Sequence, residues 1–373
     1  MIKFKKISID IKLLLFILVF MIISIITINS SMLYLPKYLG NLALKQLMWY
    51  TLGFIIIIIS FFIDFKNYSY SFYFYLFNIF LLTFLLAFGK DINGSKCWLI
   101  LPKIGSLQPS EFMKIGLIIY YSNVVSNWSK KEDKNTFKNE LILLLKSFII
   151  LIIPAILTFL EPDTGAVIMY IMIVFSILVI SPIRKRWIIF ILLFMVLIFF
   201  IFTYIYLYQQ KLFITIFGSN LFYRINRIFD WKNGSGMQLE NSLVAIGSSG
   251  LFGHGYKKTP IYFPESGTDF IFSVYASNFG LIGSLFLIIL LLLFDLYLIK
   301  ISKRKKDYFS KYVIIGTTGM LIYQQIQNIG MTLGILPITG ITLPFISYGG
   351  SSLLSYFIIL SIIFNIIPSK EIN

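Results

Sequence analysis

Two acidic residues stand directly before an apolar run in the stretch PESGTDFIF, residues 264–272. Asp269 would lie at the mouth of the helix that this run predicts, with Glu265 four residues before it. A carboxylate in such a place can serve as a general base that removes a proton from an attacking hydroxyl group. The alternative is a simple helix N-cap, in which Thr268 or Asp269 accepts hydrogen bonds from free backbone amides without any catalysis. The spacing leaves both interpretations open.

A second group of ionisable residues lies in QPSEFMK, residues 108–114. Pro-Ser-Glu predicts a helix start, and Glu111 and Lys114, three residues apart, would share one face of that helix. Ionised groups within an apolar span are costly, so they usually face a partner or a wet cavity. The pair is either a mutual salt bridge or a site where Lys114 meets a phosphate or a carboxylate.

Further polar groups lie in two predicted loops. Glu161 and Asp163 flank Pro162 in a tight turn, where solvation of both carboxylates is the simplest interpretation. A glycine and serine run, residues 245–255, follows Gln238 and Ser242. Its amides could cradle a phosphate group, although a glycine-rich loop by itself is weak evidence.

Three polar residues of a later apolar run, Gln324, Gln327 and Asn328, fall on one helical face. This pattern fits a polar cavity wall, and it fits hydrogen bonding between helices equally well.

The counts of cysteine and histidine exclude several kinds of site. Cys97 is the only cysteine and His254 the only histidine. No intrachain disulfide can form, and zinc sites or haem ligation built from several such residues are excluded. Acid and base chemistry must therefore fall mainly on Asp, Glu, Lys or Tyr, and no required cofactor is indicated.

The elements that position these residues must lie in a membrane. Hydrophobic residues make up 58% of the 373 and charged residues 13%, and the mean hydropathy is +0.86. Such a chain has too little polar surface to cover a soluble globule. The first apolar run lacks a cleavage site and is expected to be a retained span. Without a repeat or a linker, residues 1–373 are expected to form one integral membrane domain.

Hydropathy predicts an all-α polytopic membrane protein with about ten transmembrane helices and long external loops. The predicted spans are roughly 12–30, 47–63, 69–88, 111–125, 145–160, 164–180, 187–206, 270–298, 310–328 and 351–367.

Basic residues predict the orientation of these spans. With the N-terminus inside, internal segments carry 19 of the 32 Lys and Arg residues and external segments 11. Both termini are therefore expected in the cytoplasm. The net charge is +16, and the charged residues lie between hydrophobic spans. This distribution favours anionic lipid as a partner over nucleic acid.

Three external segments are longer than a connection requires: 89–110, 207–269 and 332–350. The middle segment concentrates positive charge where the orientation rule disfavours it. This charge indicates an anionic external ligand, unless long translocated loops simply escape the rule. The basic residues are Lys211, Arg224, Arg227, Lys232, Lys257 and Lys258.

Six motifs follow one another along most of the chain: GSKCW from Gly94, QPSEFMK from Gln108, PDTG from Pro162, AIGSSGLFGHG from Ala245, PESGTDFIF from Pro264, and NIGMTLGILPITGITLPFISYGGSS from Asn328. In this order they resemble the motifs of the RodA/FtsW (SEDS) family of peptidoglycan glycosyltransferases. Two positions depart from the family pattern: Cys97 stands where an arginine usually precedes Trp98, and Gly267 stands where a histidine is frequent.

The resemblance implies an enzyme that polymerises lipid II, a disaccharide-pentapeptide on undecaprenyl diphosphate, at the outer face of a bacterial plasma membrane. It makes Asp269 the essential residue, allows a divalent cation such as Mg²⁺ or Mn²⁺, and implies a class B penicillin-binding protein as the transpeptidase partner. Short tails favour a RodA-like role in elongation and cell shape. The candidate substrate-binding residues are Glu111, Lys114, Trp98, Arg224, Gln238, Ser242, Lys257, Lys258 and Glu265.

Two other functions stay open at this point. One is a lipid II flippase or other transporter, and the other is a non-catalytic scaffold that activates a partner synthase. Transport sites usually lie near the midplane of the bilayer, whereas the acid, the glycine run and the excess basic residues are all expected outside. A substitution at Asp269 separates the enzyme from the scaffold.

Overall fold

The computed structural model describes residues 9–33, 40–62, 70–89, 96–101, 105–217 and 236–366. Within these residues the chain forms twelve helices and one antiparallel hairpin of strands β1 (Leu99–Leu101) and β2 (Gly105–Leu107). The helices are α1 (Ile11–Ser31), α2 (Leu42–Ser60), α3 (Ser71–Phe88), α4 (Pro109–Ser129), α5 (Phe137–Leu160), α6 (Thr164–Ile180), α7 (Lys185–Tyr208), α8 (Gln210–Phe217), α9 (Met237–Gly247), α10 (Ile271–Arg304), α11 (Tyr308–Thr332) and α12 (Gly350–Ile366).

Each of the ten predicted spans coincides with one helix. Six helices of the described residues, α1, α2, α3, α5, α7 and α10, are by themselves long and apolar enough to cross a membrane. Helices α6 and α12 are apolar but shorter, and α4 and α11 carry buried polar residues. The prediction of an all-α polytopic membrane protein is confirmed.

Short polar residues begin several of these helices, because their side chains accept hydrogen bonds from backbone amides that lack a helical partner. Asp10 caps α1, Asn41 caps α2, Thr136 caps α5 and Asp307 caps α11. Helix α4 begins at Pro109, as the Pro-Ser-Glu sequence predicts.

Helix α11 lies at the centre of the bundle and packs against α4, α6 and α10. Its small residues allow the close approach, since a Cβ on Gly319 would lie 2.5 Å from Cβ of Ser176 on α6. Helix α7 lies at the periphery, where its most apolar stretch buries no residue in the protein. The polar residues of α4 and α11 thereby face the middle of the molecule.

Helix α10 is broken at Gly280, whose φ of +65° favours glycine. A loop after α9 enters the break and binds the backbone groups that the break exposes. Gly253 has no room for a side chain, since a Cβ there would lie 2.3 Å from the carbonyl oxygen of Asn278. The backbone bonds run from His254 N to Ser277 O, Gly255 N to Asn278 O, Leu281 N to Gly250 O and Ile282 N to Leu251 O.

We call the contact between residues 250–255 and the break in α10 the interlock. It explains why this stretch is rich in glycine. The amides of His254 and Gly255 donate to carbonyls of α10 at 2.9 and 3.1 Å, and the amide of Gly253 donates to Ser249 O. The prediction that the run cradles a phosphate is wrong for these amides, because protein carbonyls occupy them.

Candidate active site

Hydrogen bonds to its backbone carbonyl groups hold the loop before α10 in place. Three successive carbonyl groups, those of residues 267–269, each accept a hydrogen bond from a different donor. Two donors belong to segment 333–349, which joins α11 to α12, and one belongs to α11. The bonds run from Tyr348 N to Gly267 O (2.9 Å), from Ser347 Oγ to Thr268 O (2.6 Å) and from Asn328 Nδ2 to Asp269 O (2.7 Å).

The carboxylate of Asp269 is half-buried and does not cap a helix. Helix α10 begins at Ile271, and its N-cap residue, Phe270, makes no side-chain capping bond. The capping interpretation of Thr268 and Asp269 is therefore wrong. A Cβ on Gly340 would lie 3.5 Å from Asp269 Oδ2, so the backbone of Gly340 lies against this carboxylate.

Burial raises the pKa of Asp269 to about 7, and the nearby negative charge of Glu265 adds to the effect. Glu265 itself is exposed and accepts a hydrogen bond of 2.7 Å from the Thr268 hydroxyl. The described residues place no hydrogen-bond donor on the Asp269 carboxylate. A carboxylate with this pKa and a free acceptor position is suited to general base chemistry near neutral pH.

Glu111 and Lys114 form a buried ion pair on α4. Lys114 Nζ lies 2.7 Å from Glu111 Oε2, and the lysine side chain is 1% exposed. The ammonium group also lies 5.5 Å from the centre of the Tyr356 ring. The salt-bridge interpretation of the pair is confirmed, and a contact of Lys114 with substrate stays a prediction.

The solvated interpretation of the turn between α5 and α6 is wrong. Asp163 caps α6 by accepting from Ala166 N at 3.0 Å, and its other oxygen accepts from Gln108 and Ser110. Glu161 is 0% exposed, and neither of its carboxylate oxygens has a hydrogen-bond partner. Burial raises the pKa of Glu161 to about 8, with a further contribution from Asp163.

The residues just before the hairpin contact this turn. Cys97 is buried before β1, and its thiol donates to the carbonyl oxygen of Glu161 at 2.8 Å. Trp98, the next residue, is half-buried. Ser351 of α12 accepts from Gln108 N and donates to Ser106 O, which joins the hairpin to the bundle. The position where the family pattern has an arginine thus lies against the α5–α6 turn.

Helix α11 connects the two acidic regions. Gln324 donates to the hydroxyl of Tyr356 at 2.9 Å, and this ring lies beside Lys114. One turn later, Asn328 donates to Asp269 O and to Ile341 O. The polar face predicted on this helix therefore makes hydrogen bonds between elements.

A model of the family described as cell cycle protein, with FtsW, RodA and SpoVE in its name, matches residues 6–372. The chain belongs to this family. An FtsW described as a probable peptidoglycan glycosyltransferase, from Buchnera aphidicola subsp. Schizaphis graminum, is 37% identical over 74% of this chain and 76% of its own length. The peptidoglycan glycosyltransferase MrdB of Helicobacter pylori strain 26695 is 30% identical over 89% of this chain and 84% of its own.

The chain has the fold of solved structures. A chain from the structure titled "Structural coordination of polymerization and crosslinking by a peptidoglycan synthase complex" superimposes with a TM-score of 0.79. The match covers 96% of this chain and 97% of that chain at 21% identity. The helical membrane-protein fold of that chain, which is also the fold of RodA from Thermus thermophilus (TM-score 0.68, 21% identity), is therefore present here.

The remaining site predictions fall at different places. Ser242 is fully buried and joins α9 to its neighbours through Ser273 Oγ (2.6 Å) and Thr332 O (2.9 Å). Gln238 is half-buried on the same helix, and Lys257 and Lys258 are exposed on the loop that leaves the interlock. Arg224, with Arg227 and Lys232, lies outside the described residues. The geometry of the described residues explains Ser242 as a structural contact.

Proposed function

We propose that this protein polymerises lipid II into glycan strands at the external face of the bacterial plasma membrane, with Asp269 as the general base. The reaction class follows from the family, whose curated relatives are peptidoglycan glycosyltransferases. The observation that supports the role of Asp269 is its carboxylate, which is fixed through the backbone and has a pKa of about 7.

The proposed reaction is an inverting glycosyl transfer. A sugar hydroxyl of one substrate attacks the anomeric carbon of the other, the bond to the diphosphate oxygen breaks, and the hydroxyl proton passes to Asp269. Inversion from an α-diphosphate to a β-linked product requires no covalent enzyme intermediate. A single carboxylate can therefore supply the base that the reaction needs.

The leaving diphosphate requires positive charge near it. Lys257 and Lys258 are exposed on the predicted external segment 207–269, and Lys114 is buried in the interior. We assign these three lysines, together with Arg224, to binding of the diphosphate. Glu111, Trp98, Gln238 and Glu265 stay candidates for other substrate contacts.

A divalent cation such as Mg²⁺ or Mn²⁺ would supply charge neutralisation at the diphosphate. The described residues contain no cluster of three His, Cys, Asp or Glu side chains that could hold a metal ion by themselves. Oxygen atoms of the substrate would complete the coordination of any such ion, to which Asp269 could add a carboxylate.

The proposed setting is the plasma membrane with both termini in the cytoplasm, as the distribution of basic residues favours. The proposed partner is a class B penicillin-binding protein that crosslinks the glycan. A solved structural neighbour comes from a complex described as coordinating polymerisation and crosslinking, which supports this partner. The RodA-like role in elongation stays a prediction, since both FtsW and MrdB proteins are relatives.

Purified protein incubated with lipid II, with and without the partner, tests the function. The wild-type protein should form glycan polymer, and Asp269→Asn should lose about two to four orders of magnitude in rate while it stays folded. Glu240→Gln, an amide substitution at an exposed acid on α9, is the matched control. Normal polymerisation by folded Asp269→Asn would refute the mechanism, and movement of lipid II across vesicles without polymer would favour a flippase.

A further inference from the structure

Asn328 joins two parts of the site. It lies one turn before the outer end of α11 and is 0% exposed. Its amide nitrogen donates to Asp269 O and to Ile341 O, both at 2.7 Å. One side chain thereby ties the loop of the catalytic acid to the external segment 333–349.

The amide oxygen of Asn328 accepts no hydrogen bond from the described residues. This oxygen, Oδ1, is buried. A buried acceptor without a donor is destabilising. An apolar side chain of similar volume, such as leucine, would avoid this cost but would provide no donor. The two donated bonds are therefore the feature that distinguishes asparagine at this position.

Both donated bonds bear on the Asp269 carboxylate. One holds the backbone of Asp269 directly. The other holds Ile341, and the preceding residue, Gly340, is the backbone that lies against Asp269 Oδ2. The side chain thus fixes the acid and the wall beside it with respect to α11.

We propose that Asn328 is a positioning residue that keeps the carboxylate of Asp269 in its reactive place by clamping its loop against residues 340–341. The proposal rests on the proposed function. A displacement of about 1 Å at a reacting group can lower a rate by about 10²-fold. Asn328 acts through Asp269 and has no contact with substrate in this proposal.

The adjacent residue offers a matched control. Gln327 donates to Pro337 O at 2.8 Å, in the same external segment, but it does not hold Asp269. Asn328→Leu and Gln327→Leu each remove one buried amide from α11, and both should lower the melting temperature. Only Asn328→Leu should lower kcat, by about 10²-fold, with KM little changed.

A second measurement needs no substrate. Hydrophobic carbodiimides modify protonated carboxyl groups, so labelling of Asp269, followed by mass spectrometry, should fall as pH rises through its pKa of about 7. If the two hydrogen bonds of Asn328 are lost, the Asp269 carboxylate becomes more exposed to solvent and its pKa falls. The labelling midpoint should move to lower pH in Asn328→Leu and stay in place in Gln327→Leu.

The activity of Asn328→Leu and its labelling midpoint together decide whether the proposal holds. Wild-type kcat together with a wild-type labelling midpoint in folded Asn328→Leu would overturn the proposal, and so would a raised KM with unchanged kcat. If that variant does not fold, Asn328→Ser, which is smaller and retains one donor, is judged by the same two readouts. If the labelling midpoint shifts in Asn328→Leu but the wild-type protein does not polymerise lipid II, the positioning role of Asn328 is supported and the proposed function is refuted.

Discussion

The pKa of Asp269 sets the pH at which the proposed base works. A base must be deprotonated, so the rate should rise with pH through about 7 and then level off. Glu265→Gln removes the negative charge that adds to the raised pKa, and the acidic limb should therefore move to lower pH. Burial persists, so the midpoint should stay above the ordinary aspartate value of 3.8.

The measurement is polymerisation of lipid II from pH 5 to pH 9 by the purified variant and wild type. Glu240→Gln, at an exposed acid on α9, is the control and should leave the profile unchanged. If the acidic limb does not move in Glu265→Gln, the charge of Glu265 does not affect the pKa of the reacting group.

The ion pair on α4 has separable structural and functional parts. Lys114→Met leaves Glu111 buried without its cation, which should cost about 3–5 kcal/mol in the free energy of unfolding. Glu111→Gln combined with Lys114→Met removes both charges and should restore much of that stability. If Lys114 also binds the diphosphate, this double variant should fold well and still polymerise poorly.

Melting curves and the KM for lipid II check the prediction for the pair. Normal stability with normal KM in the double variant would make the pair structural only. A raised KM in a stable double variant would support the contact between Lys114 and the diphosphate.

Sequence reasoning identifies candidate residues where a charge would be costly to bury. Asp269, Glu111 and Lys114 could be singled out because an ionisable side chain beside an apolar run is costly and therefore informative. The solvated interpretation of Glu161 is wrong because its side chain is buried. Contacts with residues far along the chain, such as the hydrogen bond from Cys97 to its carbonyl group, leave no local pattern in the sequence.

Elements were predictable to the extent that their signal is local. A span requires about 20 apolar residues, which a window along the chain can find, and all ten predicted spans are helices. The break in α10, the helix α9 and the hairpin were missed. Each is short, and the break depends on a loop that is close to Gly280 only in the folded protein.

The interlock at this break gives a prediction for helix α10. Gly253 has a φ of +80° and no space for a Cβ, so Gly253→Ala should lower the free energy of unfolding by about 2 kcal/mol or more. Gly247→Ala is the matched control, since a Cβ there meets open space at the end of α9. It should be neutral or stabilising by up to about 1 kcal/mol.

Thermal unfolding in detergent checks both glycine variants. Equal melting temperatures for Gly253→Ala and wild type would contradict the close approach at the break.

For the whole molecule, the orientation in the membrane is the main prediction. In a Cys97→Ser background, a cysteine in place of Lys258 should react with an impermeant maleimide on intact cells. A cysteine in place of Lys131, in the exposed connection between α4 and α5, should react only after the membrane is opened. The opposite labelling pattern would invert the proposed topology and place Asp269 on the cytoplasmic side.

The loop between the interlock and Asp269 is anchored at both ends. Residues 254 and 255 bind α10, and the carbonyls of residues 267–269 bind segment 333–349 and α11. The chain between them has therefore already lost much of the conformational entropy that a free loop would lose on binding a ligand. Lys257, whose amide donates to Ser30 Oγ at 3.2 Å, is presented from the ordered end of this bridge. An anionic headgroup arriving there would meet charges whose backbone is ordered before the encounter.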